Sequence, residues 1–113
     1  ELRKVYDQPW FVSAPMVICV CIVAGEAWTR RHHDGKSYAD VDAAIVMDHL
    51  ILAATEAGLG TCWIAAFDPA AARAFLDLPS GAEPVLFTPL GYPADALGPK
   101  QRRPLADIVH RLE

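Results

Sequence analysis

The sequence predicts a single domain of mixed α and β structure, either α/β or α+β, over residues 1–113. Apolar runs typical of strands alternate with helical segments, in the order strand, helix, strand, helix, strand, helix. The length suffices for one hydrophobic core but not two. Hydrophobic residues make up 53% of the chain and charged residues 21%, a composition that excludes a disordered segment.

The first strand is predicted at residues 15–23, a continuous run rich in β-branched side chains. A run without alternating polar residues is typical of a strand buried on both faces. The apolar run at residues 14–24 holds eleven residues. A membrane-spanning helix needs roughly twenty, so we expect no membrane association. In the loop that follows, His32 and His33 point apart and no third ligand has suitable spacing, so we expect no metal site.

The longest predicted helix covers residues 41–57, with Ser37 or Asp40 to cap its start and Gly58 to end it. Its main polar positions are spaced seven residues apart, at Asp42, His49 and Glu56. Because most other positions are apolar, one narrow side of the helix is polar and the rest requires burial. We therefore predict a central helix, covered partly by a sheet and partly by a second subunit or by a segment absent from the sequence.

The rest of the chain predicts two strands and two helices, at residues 59–64, 69–76, 84–93 and 104–112. Asp68 and Pro69 are typical of the N-cap and the first residue of a helix. Pro89, within the last predicted strand, suits an edge or a bulge because it lacks a backbone N–H.

Charge and cysteine content narrow the class of function. The net charge of −4 argues against nucleic acid or anionic lipid as the main partner. The three cysteines, Cys19, Cys21 and Cys62, are odd in number and form no CxxC motif. We interpret them as reduced thiols in the core of a cytoplasmic protein, and not as a disulfide framework or zinc ligands.

Three segments together resemble the nitroreductase family of FMN-dependent oxidoreductases. They are QPWFVSAPMVICVCIV at residues 8–23, residues 40–68 ending in GLGTCWIAAFD, and residues 90–105 with LGYP and PKQRRP. The GLGTCWI-x-A-F and P-K-x-R-x-P parts are the specific ones. The resemblance covers nearly the whole chain and implies the C-terminal portion of an α+β fold. In that fold, an α-β-α sandwich, helices flank a central mixed sheet.

The resemblance also implies an activity and a site. Family members bind FMN at a homodimer interface and pass a hydride from NADH or NADPH through the flavin to a nitroaromatic, quinone or similar acceptor. The family's flavin-binding positions correspond here to Trp63, Ile64, Ala65, Ala66, Lys100 and Arg102. Backbone N–H groups of Ala65 and Ala66 would approach the flavin, and Lys100 and Arg102 would bind its phosphate. No side chain is singled out as catalytic.

Other interpretations share the same three segments. The family's Arg-x-Ser-x-Arg segment, which grips the phosphate and ribityl chain, does not occur in the sequence, so we expect that an N-terminal part is absent. A relative that binds no flavin and acts as an interaction or regulatory subunit is one alternative. A related flavin enzyme with another task, such as reductive dehalogenation, is a second. Trp63 would either pack beside the flavin or fill the core.

Overall fold

The computed structural model describes residues 1–96 and 98–111. Its helices are α1 (Leu2–Val5), α2 (Pro9–Val12), α3 (Ala39–Glu56) and α4 (Pro69–Phe75). The strands are β1 (Met16–Val23), β2 (Gly60–Thr61) and β3 (Ala82–Gly91), in the sheet order β1-β3-β2. The three predicted strands and the first two predicted helices are therefore present, with shifted ends. Both strand pairs are antiparallel. The resemblance implies a mixed sheet, but the described residues contribute only antiparallel pairs to it.

Helices cover both faces of the sheet. Successive side chains of β3 point to opposite faces, so neighbouring residues of this strand pack against different helices. Phe87 belongs to a core cluster that reaches α1, α2 and α4. Its neighbour Leu86 points to the other face and packs against Ala43 and Met47 of α3. The fold is thus an α-β-α sandwich, as the resemblance implies.

α3 begins two residues before the predicted helix. The Ser37 hydroxyl accepts a hydrogen bond from the N–H of Ala39 at 3.3 Å. The N-cap is Tyr38 and no side chain of the described residues caps the helix, so the expectation that Ser37 or Asp40 would be the cap is wrong. Asp40 lies inside the first turn, where a carboxylate interacts favourably with the helix dipole. Gly58 follows the last turn with a φ of 74°, a conformation that favours glycine, and so ends the helix as expected.

Two opposite sides of α3 are apolar. The residues buried on one side are Ala39, Ala43, Met47 and Ala54. On the other side, about half a turn away, Val41, Ile45 and Leu52 are 44%, 50% and 59% exposed. The predicted polar positions lie between the two. The rest of this chain therefore covers only one of the two apolar sides of α3.

The expectation that Pro89 lies at an edge or bulge is wrong. Pro89 is in β3, the central strand of the described sheet, and the β1–β3 register shift falls between Val20 and Cys21. The β2–β3 register places Cys62 opposite Pro89, which has no N–H to offer it. The Cys62 N–H donates instead to the Thr88 hydroxyl at 3.1 Å. The proline is tolerated because the β2 ladder is interrupted at that point.

The last predicted helix is also largely wrong. Residues 104–111 contain one 3₁₀ turn, Leu105–Asp107, and every residue from 101 to 111 is exposed. Without an apolar side buried against the sheet, so short a segment lacks the tertiary packing that stabilises helices in proteins. Leu112, the last residue of the predicted helix, lies outside the described residues.

Candidate functional site

The candidate site begins just after β2, where the chain pairs once more with the central strand β3. Ile64 and Phe87 exchange two backbone hydrogen bonds of 2.9 Å. Their side chains are 3% and 1% exposed and belong to one core cluster. Immediately after this anchored pair, Ala65 and Ala66 are exposed. Within the described residues, the N–H groups of Ala65 and Ala66 donate no hydrogen bond.

A second anchor holds the other end of this segment. The Asp68 carboxylate accepts hydrogen bonds from the N–H groups of Ala70 and Ala71 at 2.9 and 3.0 Å, as an N-cap of α4. The Asp68 N–H donates to the carbonyl of Val5 in α1 at 2.9 Å. The backbone of Ala65 and Ala66 therefore runs between two fixed points and can present its N–H groups in a defined direction.

A cavity of about 610 Å³ lies beside Ala65, within the size range of small-molecule sites. Phe67 forms part of its wall and packs edge-to-face on Phe87. Arg73 also lines the cavity, but its guanidinium donates hydrogen bonds to the carbonyl oxygens of Pro79 and Ala82. Arg73 thus holds the turn before β3, and this role leaves fewer of its donors for a ligand.

Trp63 lies on the opposite side of the sheet from Ile64, as alternation along a strand requires. It is 43% exposed and lines a shallow surface with Val41 and Ile45 of α3. Trp63 therefore does not fill the core of this chain, which was one of the two alternatives for its role. Trp63 joins the exposed apolar side of α3 to the segment that contains Ala65.

Lys100 and Arg102 are exposed and lie in the segment that follows β3. Arg102 donates a hydrogen bond to the carbonyl of Gln101 at 3.2 Å. Among the described residues, no hydrogen bond or ion pair connects either cation with residues 63–66. The pairing of Ile64 with Phe87 therefore positions residues 63–66, whereas neither cation is bonded to them among the described residues.

The cysteines differ from the sequence interpretation in burial. All three are free thiols, but Cys21 and Cys62 are exposed and only Cys19 is half-buried. Cys62 lies where the β2 ladder is interrupted. Cys21 follows the register shift on β1, which is an edge strand of the described sheet. The prediction of core packing is therefore wrong for these two residues.

Two structural features were not found from the sequence. Thr88 is fully buried, and its hydroxyl accepts from Cys62 and donates to the Pro89 carbonyl at 2.9 Å. Only the register of two strands reveals this role. The Sγ atoms of Cys19 and Cys21 are 3.6 Å apart. Their spacing of two residues in a predicted strand was a signal that places both on one face.

Two classes of site have no representative in the described residues. None of the helices combines the length and apolar character that crossing a membrane requires, within residues 1–96 and 98–111. The same residues contain no group of three or more His, Cys, Asp or Glu side chains placed to hold a metal ion.

Comparison with known proteins gives consistent matches. The sequence model described as "Nitroreductase family" matches residues 2–92. A curated protein named NADH dehydrogenase from Thermus thermophilus is 38% identical over 74 residues, which are 66% of this chain and 36% of that protein. The crystal structure of a nitroreductase family protein from Clostridium difficile 630 has a TM-score of 0.84 and 35% identity, covering 96% of this chain and 66% of that one.

A third relative is the hypothetical oxidoreductase YcnD from Bacillus subtilis. Its structure has a TM-score of 0.75 and 29% identity, covering 92% of this chain and 47% of that one. The chain thus spans about a third of the length of the curated relative and about half to two thirds of these two structures.

Proposed function

Because the chain belongs to the nitroreductase family, we propose that the complete protein is an FMN-dependent oxidoreductase. It transfers hydride from NADH or NADPH to a small-molecule acceptor such as a nitroaromatic or a quinone. Bound FMN supplies the centre that accepts and then donates the hydride. The observation that carries the proposal is the anchored segment at Ala65 and Ala66, two exposed residues with small side chains whose N–H groups donate no hydrogen bond among the described residues. The names of two relatives, NADH dehydrogenase and nitroreductase family protein, support the redox chemistry.

The segment suits the edge of a flavin for a physical reason. A methyl side chain lets a planar ligand come close to the backbone, which a larger side chain would prevent. N–H groups held in place by neighbouring anchors favour negative charge that develops on a ligand, because they need no reorganisation. In this proposal the N–H groups of Ala65 and Ala66 bind the polar edge of the ring and orient it.

The phosphate of FMN is assigned to Lys100 and Arg102. A phosphate group needs cationic donors, and arginine can bind two of its oxygens at once. Gly91, the last residue of β3, is nine residues before Lys100. An extended chain covers up to about 3.5 Å per residue, so this segment can reach about 30 Å from the sheet. The length of the segment is therefore compatible with a contact between these two cations and the phosphate.

We assign the exposed side of α3 to a homodimer interface. Val41, Ile45 and Leu52 with Trp63 form an apolar surface that a single chain leaves in contact with water. A second copy of the chain would bury it, and Trp63 would then lie at the boundary between the subunits, beside Ala65. The three free thiols support the assignment of the protein to the cytoplasm.

The experiment is to purify the complete protein and record its visible absorbance, then its thermal unfolding with added FMN. We expect a yellow protein, or one whose melting temperature rises as FMN is added. A ligand that binds the folded chain and not the unfolded chain stabilises the folded state. Riboflavin is the matched control, since it lacks only the phosphate. A colourless protein with no thermal shift would exclude the flavoenzyme and favour a flavin-free interaction subunit. Oxidation of NADH and NADPH with a quinone or nitroaromatic would then identify the acceptor class.

A further inference from the structure

Cys19 and Cys21 form a close pair of thiols on β1. Alternate residues of a strand point to the same face, with Cα atoms about 6.6 Å apart. The Sγ atoms are 3.6 Å apart, so the two side chains lean towards each other. Cys21 is exposed and Cys19 is half-buried, which leaves the pair open to solvent on one side.

We propose that Cys19 and Cys21 form a dithiol site that binds a soft, thiophilic element, with trivalent arsenic as the ligand class. Sulfur donors select soft ions over hard ones. An arsenic(III) centre that carries one organic group needs two further ligands, which this pair can supply alone. A structural zinc site needs four ligands, and the described residues contain no group of even three metal-binding side chains.

A disulfide is the competing state of the same pair, and the strand disfavours it. A disulfide requires an S–S distance of about 2.05 Å and Cα atoms no more than about 6.8 Å apart. Two residues on an extended strand lie near that upper limit, so the bond would be strained unless the backbone moved to shorten this distance. The ladder to β3 resists such movement, because Cys19 pairs with Phe87 and Cys21 with Pro84. An arsenic atom bound to both sulfurs does not require a direct S–S bond and so avoids this strain.

The local geometry explains why the two thiols approach each other. The register between β1 and β3 shifts between Val20 and Cys21, where β3 holds one extra residue. Such a bulge increases the local twist and changes the direction of a side chain. The half-buried position of Cys19 also keeps its thiol protonated, since burial raises its pKa to about 12.

The binding step balances without an oxidant. An organoarsenic oxide, R–As=O, reacts with both thiols: two S–H bonds break and two As–S bonds form. The oxygen leaves as water with the two thiol protons, and arsenic remains trivalent. The exposed Cys21 is accessible for the first bond, and the neighbouring Cys19 closes the ring.

The test is titration of the complete, reduced protein with phenylarsine oxide, followed by a wash with a monothiol and intact-mass measurement. Cys21→Ser is the main variant because Cys21 is exposed, and Cys62→Ser is the matched control. We expect the wild type and Cys62→Ser to retain one more equivalent of arsenical than Cys21→Ser, and dimercaptopropanol to release it. Equal retention by the wild type and Cys21→Ser would overturn the proposal.

A second measurement locates the bound arsenical and does not depend on any variant folding. The protein is treated with phenylarsine oxide and then with a maleimide, and the labelled cysteines are identified by peptide mass. We expect protection of Cys19 and Cys21 together while Cys62 is labelled. Protection of Cys62 with labelling of the other two would contradict the site.

Discussion

Ile64 and Phe87 exchange two backbone hydrogen bonds of 2.9 Å across the centre of the sheet. This pair re-forms the ladder after the interruption at Pro89 and fixes the point from which Ala65 and Ala66 emerge. Because both side chains are buried in one cluster, the position of the candidate flavin-binding backbone depends on the core. If the segment binds flavin as proposed, we expect stability and flavin binding to be coupled at this point.

Replacing Ile64 with alanine tests how much this buried pair contributes to stability. Ile64 is 3% exposed, so its loss leaves a cavity and we expect a destabilisation of about 2–5 kcal/mol. The matched control is Leu105→Ala, at a residue that is 72% exposed. We expect the control to change stability by less than about 0.5 kcal/mol. Urea unfolding monitored by circular dichroism measures both, and similar losses for the two variants would refute the central role of Ile64.

The phosphate assignment predicts a difference between two ligands. Replacing Lys100 and Arg102 together with alanine should weaken FMN binding by about tenfold or more, equivalent to about 1.4 kcal/mol. Riboflavin binding should change far less, since riboflavin has no phosphate. Titration of flavin fluorescence gives both affinities. The control removes the same charge at two other exposed residues, Arg31 and Lys36. Equal losses for FMN and riboflavin would assign the two cations another role.

The cap at Asp68 predicts a modest change in stability. Its carboxylate accepts two hydrogen bonds at the start of α4. Asp68→Ala should cost about 0.5–2 kcal/mol, whereas Asp68→Asn should retain most of the stability because asparagine is an equally good cap. Chemical denaturation distinguishes the two variants. If asparagine were as destabilising as alanine, the negative charge and not the cap would be the stabilising feature.

Local signals in the sequence predicted much of this fold. The β-branched run predicted β1, and the Asp68-Pro69 pair predicted the start of α4 to the residue. Long-range pairing was less predictable. Pro89 was misplaced because its neighbours in the sheet come from distant parts of the chain. The helix expected at residues 104–112 failed because local propensity is weak without a packed side.

The candidate site was predicted unevenly for the same reason. The segment at Ala65 and Ala66 follows from a local motif, and the sheet and the α4 cap hold it as a unit. Its relation to Lys100 and Arg102 depends on long-range contacts, which no local pattern encodes. The close approach of Cys19 and Cys21 was accessible from their spacing on one strand, but the orientation of the side chains required the structure.

The exposed apolar side of α3 predicts assembly into a homodimer. Ile45 is 50% exposed at the middle of that side, so Ile45→Asp would place a charge in the proposed interface. Burying an unpaired charge is strongly unfavourable, and we expect the variant to be monomeric by light scattering. Ser37→Asp adds the same charge just before α3 and should leave the dimer intact. A wild-type protein that is monomeric at micromolar concentration would remove the basis of this assignment.

The pKa of Cys19 predicts how stability changes in alkaline solution. Burial, and then the neighbouring Cys21, raise this pKa from 9.0 to about 12. Between these values the unfolded chain has released the thiol proton while the folded chain retains it. Stability contributed by the protonated thiol is therefore fully present below pH 9.0 and falls as the pH rises towards about 12.

We expect the free energy of unfolding of Cys19→Ser to decline less steeply than that of the wild type over this range. Cys62→Ser, which changes an exposed thiol, should follow the wild type. Parallel curves for all three proteins, measured by urea unfolding at successive pH values, would show that the Cys19 thiol ionises equally in the folded and unfolded states.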